Sequence, residues 1–130
     1  MSTTRSTEIE ATLQGCRPAE IEPIVIDAED LDSTAPEHLR DLKAELSTRG
    51  YQPATVSVVA RFDDDDTLGT QREADRLREF VRAAAFLGAG RIEVRLDEVA
   101  DPGVAEPALS ALTERARREG VELVRSDPAA

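Results

Sequence analysis

Residues 55–96 read TVSVVARFDDDDTLGTQREADRLREFVRAAAFLGAGRIEVRL, and this stretch decides the fold. Thr55 to Phe62 is rich in β-branched residues, the composition of a strand. Thr70 to Glu73 has the T-x-x-E form of a capping box. The segment that follows puts Ala74, Leu77, Phe80, Val81, Ala84 and Leu87 on one stripe, the period of a helix with one buried face. Its opposite face sets Glu73 against Arg76, Asp75 against Arg78 and Glu79 against Arg82, at three-residue spacing. Gly88 or Gly90 ends the helix. Ile92 to Leu96 is the next strand, with Asp97 directly behind it. Strand, helix and strand over roughly 30 or more residues make a βαβ unit, whose strands pair in parallel.

The same unit recurs on both sides. Upstream, Ile24-Val25-Ile26 is a short apolar strand ending at Asp27, suited to burial on both faces. Thr34 to Glu37 is a second T-x-x-E, with Pro36 in the first turn. The helix behind it places Leu39, Leu42 and Leu46 on one stripe, and Gly50 stops it. Downstream, Asp101-Pro102-Gly103 reads as a turn. A third helix spans about Glu106 to Glu119, with Leu109, Leu112 and Ala116 inward, and Pro107 fits only its first turn. Gly120 stops it, and Val121 to Val124 is the last strand. Residues 8–13 (EIEATL) alternate, with Ile9, Ala11 and Leu13 on one face, and add a strand in front. The expectation is an α/β fold: a mostly parallel sheet of four to five strands with three helices. Residues 8–126 form one domain, between disordered residues 1–7 and 127–130.

From residue 24 to about 125 the chain resembles the sugar-phosphate isomerase/epimerase (xylose-isomerase-like) TIM-barrel group. The resembling pieces are IVIDAED, DLKAELSTRGYQPATVSVVARFDDDD, READRLREFVRAAAFLGAGRIEV and LSALTERARREGVELV. The phrases AAAFLGAGRIEV and RREGVELV carry the helix-to-strand cadence of that group. The resemblance implies half of a barrel. It also implies a divalent metal held by Glu, Asp and His at strand C-termini, and here the equipment departs. The position after Glu122-Leu123-Val124, where the resemblance implies a glutamate, is Arg125. His38, the one histidine, stands in the first turn of a helix and reads as a solvated residue.

The composition is acidic: 27 Asp and Glu against 16 Lys and Arg, a net charge of −11. Lys43 is the one lysine. Arginine and carboxylate thus cover the surface, as in a salt-adapted cytoplasm. Such a charge opposes compaction in dilute buffer, and molar salt shortens the screening length to about 3 Å. A negative field with interleaved arginines argues against nucleic acid, which needs clustered Lys and Arg. No stretch approaches the roughly 20 apolar residues of a membrane span. Met1 to Thr7 lacks the apolar run of a signal peptide. The expected compartment is the cytoplasm. Cys16, the one cysteine, reads as a small apolar or loop residue and permits no internal disulfide.

Asp27, Asp63 and Asp97 each follow a parallel strand, on the edge where such sheets bind ligands. They are the candidate site residues, and convergent carboxylates there would serve acid/base chemistry or a metal. The run Asp63 to Asp66 fails as an EF-hand loop, because Leu68 and Ala74 stand where glycine and glutamate are required. Otherwise it is a hydrated acidic loop beside a helix N-terminus. Gly88-Ala89-Gly90-Arg91 lies after a helix and before a strand, the reverse of a phosphate-binding loop. The sequence thus points to a domain without cofactor or catalytic set, acting through a homo-oligomer or a protein partner. The alternative is a metal-dependent sugar-phosphate isomerase/epimerase-like enzyme, or a split-enzyme subunit, completing its site across an oligomer. The charge makes its own prediction: thermal melts across a KCl series should show the melting point rising into molar salt. A flat or falling series would remove the salt-adapted reading.

Overall fold

The computed structural model of the chain describes residues 21–63 and 66–126. The elements are β1 (Glu22–Asp27), a 3-10 turn (Ala28–Asp30), α1 (Pro36–Thr48), β2 (Tyr51–Phe62), α2 (Thr67–Leu87), β3 (Arg91–Val99), α3 (Pro102–Arg118) and β4 (Glu122–Ser126). The strands lie in the order β1-β2-β3-β4, and every neighbouring pair is parallel. This is the fold expected from the alternating βα pattern, with four strands among the described residues. The strand expected at 8–13 lies outside them, as does Cys16.

Strand order equal to chain order, with one hand of crossover, carries every helix to the same side of the sheet. The side chains record this. Val56, Val58, Ala60 and Phe62 of β2 and Ile92, Val94 and Leu96 of β3 are buried in one core with Leu39 of α1, Leu77, Val81, Ala84 and Leu87 of α2, and Leu109, Leu112 and Ala116 of α3. The alternate residues, Thr55, Ser57 and Val59 on β2 and Arg91, Glu93 and Arg95 on β3, are half-buried or exposed. Among the described residues, the sheet therefore has one helix-covered face and one uncovered face.

β1 departs from the expectation of burial on both faces. Ile24 and Ile26 are half-buried, while Val25 is 65% exposed. Its register partner is Thr55, so it belongs to the uncovered face. Its centre, Ile24-Val25-Ile26, is apolar, yet among the described residues it is an edge strand beside a bare surface.

The helix starts also differ. Before α1, the Thr34–Glu37 capping box does not form. Ala35 is the N-cap with no side-chain cap, and Pro36 opens the helix. Thr34 Oγ1 instead reaches Glu79 Oε2 on α2, at 3.5 Å. α2 begins at Thr67, capped by Asp66, whose Oδ1 accepts from Gly69 N at 2.7 Å. Thr70 is buried inside that helix, its hydroxyl donating to Asp66 O. α3 begins one turn earlier than expected, because Asp101-Pro102-Gly103 is a helix start and not a free turn. Asp101 Oδ1 accepts from Gly103 N at 2.9 Å, with Pro102 at the first position. Pro107 consequently lies past the first turn, where it gives up one backbone bond. All three helix ends do follow the glycine rule: Gly50 has φ of 84° and Gly88 and Gly120 of 80°, a conformation that costs a side-chain-bearing residue about 1 kcal/mol or more.

Within α2, Leu77, Val81, Ala84 and Leu87 are completely buried. Phe80, expected among them, sits at the margin, partly buried against the core, with the Arg76 guanidinium 5.6 Å above its ring. Leu77→Ala should therefore cost about 2–5 kcal/mol in chemical denaturation, and Phe80→Ala distinctly less than the 3–5 kcal/mol of a fully buried phenylalanine. Equal costs, or a larger one at Phe80, would contradict this phase of the helix.

Candidate functional site

The uncovered face and the C-terminal rim of the sheet form the candidate site. The register sets out its rows. Val25, Thr55, Arg91 and Glu122 align across the four strands, then Asp27, Ser57, Glu93 and Val124, then Val59, Arg95 and Ser126 on the inner three. Val25, Thr55, Ser57, Val59, Val124 and Ser126 are small or β-branched, Arg91, Glu93 and Arg95 of β3 are long and charged, and Asp27 and Glu122 add charge on the two outer strands. Arg91 Nη2 lies 3.5 Å from Glu122 Oε1. Arg61 Nε lies 2.8 Å from Asp97 Oδ2, with both side chains about half exposed, so this pair adds little stability.

The three candidate carboxylates all stand at the C-terminal rim, each in its own local arrangement. Asp27 caps the 3-10 turn, its Oδ1 accepting from Glu29 N at 3.1 Å. Asp97 belongs to β3 rather than to the loop behind it, and it is held by Arg61. Asp63 directly follows β2 and lines an open, shallow depression with Glu29, Val59, Arg61, Glu73 and Arg76. Asp64 and Asp65 lie outside the described residues. Among the described residues, no three His, Cys, Asp or Glu side chains gather closely enough to hold a metal ion. His38 is half-buried in the first turn of α1 rather than fully solvated.

Two arrangements escaped the sequence reading. β1 ends at Asp27, opposite Ser57, so β2 runs on with bare backbone beyond it. α2 covers that stretch: Glu73 Oε2 accepts from Arg61 N at 2.8 Å, and Arg76 Nη2 donates to Val59 O at 3.0 Å. Glu73 and Arg76 have the spacing of a solvent-facing helix pair, and are 3.7 Å apart, but their work is to finish a strand edge. The second arrangement is at β4. Arg125 pairs in register with Val94 of the covered face, so its side chain turns toward the helices. There Nη1 donates to Glu106 Oε1 of α3 at 3.0 Å and Nη2 to Oε2. The position where the barrel resemblance implies a catalytic glutamate thus serves as a strand-to-helix clamp.

The matching family model is a domain of unknown function, DUF8564, over residues 20–125. The chain belongs to this family. No curated protein matches the chain. Among solved structures it is similar to the xylose isomerase domain protein from Planctomyces limnophilus, at 15% identity and a TM-score of 0.62. That match covers 80% of this chain and 43% of the other, so the DUF8564 chain spans less than half the length of its structural neighbour. The four-stranded parallel βαβ sheet fits half of a TIM barrel. The uncovered face corresponds to the interior of such a barrel, and the carboxylate rim to its C-terminal mouth.

The clamp carries a pH dependence. The Arg125 hydrogen bond is the main cause of a Glu106 pKa below its ordinary 4.5; loss of solvent around the carboxylate opposes it, and the guanidinium charge adds a lesser lowering. A depressed carboxylate pKa stabilises the fold above the ordinary value, and this is lost as pH falls through the folded-state value. Glu106→Gln should therefore lower the melting point near neutrality. Its difference from the parent should shrink as pH drops below 4.5. A difference independent of pH would show that the clamp acts by shape alone.

Proposed function

We propose that this DUF8564 domain is a non-catalytic association module of a salt-adapted cytoplasm. It works through the uncovered face and free edges of its sheet, with itself or with a protein partner. One observation carries the reading: among the described residues, an all-parallel sheet has helices on one face only. Parallel sheets are otherwise found covered on both faces, and free edges invite further pairing. The rim chemistry supports it as well. Asp27 is engaged as a cap and Asp97 by an arginine, so neither is a positioned base for proton transfer.

The likeness to a xylose isomerase domain protein supports a second reading. In it the chain is half of a metal-dependent sugar-phosphate isomerase/epimerase-like enzyme, or a split-enzyme subunit. Asp27, Asp63 and Asp97 then contribute to a divalent-metal site completed across an oligomer.

Sedimentation in molar KCl separates these readings from a solitary domain. It should be run on the purified chain and on the chain in an extract of its source cells. A particle heavier than the 14.1 kDa chain is expected in at least one of them, and a 14.1 kDa species in both overturns the association reading. Saturable Mn²⁺ binding, with sugar-phosphate turnover abolished by Asp97→Asn, would install the enzymatic reading in its place.

A further inference from the structure

The helix-covered layer is filled unevenly along the sheet. On α2, Leu77, Val81, Ala84 and Leu87 are all buried. On α1 only Leu39 is, while Leu42 and Leu46 are half-buried. α1 packs on β2 and α2. Ile24 and Ile26 of β1 belong to the same layer, in register with buried Pro53 and Val56, yet both are half-buried. Ile21 and Val25 lie still more open at this margin, 45% and 65% exposed. β1 is the outermost described strand on its side, with one edge unpaired. Its centre carries none of the charges that usually shield such an edge. β4, the other outer strand, presents Glu122 and Arg125. The apolar layer and the hydrogen-bonded sheet are thus both left unfinished at β1.

The sequence directly before β1 has the pattern that finishes such an edge. Residues 8–13, EIEATL, alternate, with Ile9, Ala11 and Leu13 on one side and Glu8, Glu10 and Thr12 on the other. Residues 14–20, QGCRPAE, connect them to Ile21 and include Gly15 and Pro18, residue types of a turn. The length of this connection sets the direction. A parallel neighbour needs a crossover of about a dozen or more residues, whereas an antiparallel one is reached by a short loop. The tether also sets the occupant. A segment held to β1 by so short a connection stays beside it at an effective concentration of about millimolar, which favours it over a separate chain in dilute solution.

We propose that residues 8–13 pair antiparallel with the free edge of β1. Ile9, Ala11 and Leu13 lie on the helix-covered side beside Ile24 and Ile26, and Glu8, Glu10 and Thr12 lie on the uncovered side. The opposite choice would bring two carboxylates against the apolar layer, where an unpaired charge is costly. The segment precedes residues 20–125, which the family model matches, so it edges the shared domain without being part of it. It narrows the association reading without resting on it: with β1 covered, β4 is the sheet edge left for a partner.

The full chain at molar KCl tests this by nuclear magnetic resonance and amide exchange. Close Hα–Hα contacts, the mark of an antiparallel pair, are expected between residues 8–13 and β1. The amides of residues 8–13 should exchange at least about tenfold more slowly than an open peptide. Ile9→Asp with Leu13→Asp should abolish both signals while β2, β3 and β4 keep theirs, and Glu10→Gln should leave both in place. Open-peptide exchange, a parallel contact pattern, contacts to β4 instead, or protection that survives Ile9→Asp with Leu13→Asp each overturn the proposal. So do contacts found only between differently labelled copies in a mixed sample, which would put another chain's segment on the edge. Should the double variant fail to fold, Ile9→Ala with Leu13→Ala should speed exchange of residues 8–13, and unchanged exchange overturns the pairing. Sedimentation scores the association reading separately: an assembly without protected residues 8–13 sinks this proposal alone, and a protected solitary chain sinks that reading alone.

Discussion

Every described strand of this domain is laid beside the one before it, in parallel, and the other features follow from that constraint. A parallel neighbour requires a crossover, and crossovers of one hand in one direction put all three helices on a single face. The core then forms as one layer between α1, α2 and α3 and the alternate residues of β1 to β4. The other alternate residues are left without a layer to meet. Where the winding reverses direction, helices cover both faces of a sheet. Among the described strands it never reverses, so the uncovered face is a consequence of topology and not of any single residue.

The acidic surface is put to structural use within this plan. Asp66 and Asp101 cap α2 and α3, and Asp27 caps the 3-10 turn. Carboxylates at these positions satisfy backbone N–H groups that a helix start leaves bare. Arginine, nearly the only cation in the chain, supplies the complementary side. Arg76 reaches the backbone of β2, and Arg125 grips both oxygens of Glu106. A guanidinium offers several donors in a fixed plane, which suits such bridging better than a lysine ammonium does. The C-terminal rim is accordingly rich in charge, with much of it engaged in holding the rim together.

Most of the architecture was legible in the chain. The β-branched run at Thr55 to Phe62, the Leu77–Val81–Ala84 stripe and the glycines at 88 and 120 state a βαβ repeat, because a period of two or of 3.6 residues is written locally. The candidate site was legible only in outline. Asp27, Asp63 and Asp97 do lie toward the C-terminal rim, although Asp27 and Asp97 stand inside β1 and β3 and only Asp63 follows its strand. What each of them touches was not legible, because a partner such as Arg61 comes from a neighbouring strand. Glu73 and Arg76 misled for the same reason: their spacing along the helix is visible, but the unfinished edge of β2 is not.

By itself, the sequence determined the element types, their parallel order and the half-barrel resemblance, since these depend on periodicity and on short-range punctuation. Only the tertiary structure decided where the helices begin, because Thr34, Thr70 and Asp101 had competing partners within reach and the packed arrangement selected among them. It alone assigned Val25 to a bare surface and turned Arg125 toward the helices. Each of these depends on register. A one-residue step moves a side chain to the opposite face of a sheet, and register is fixed by strands far apart in the chain.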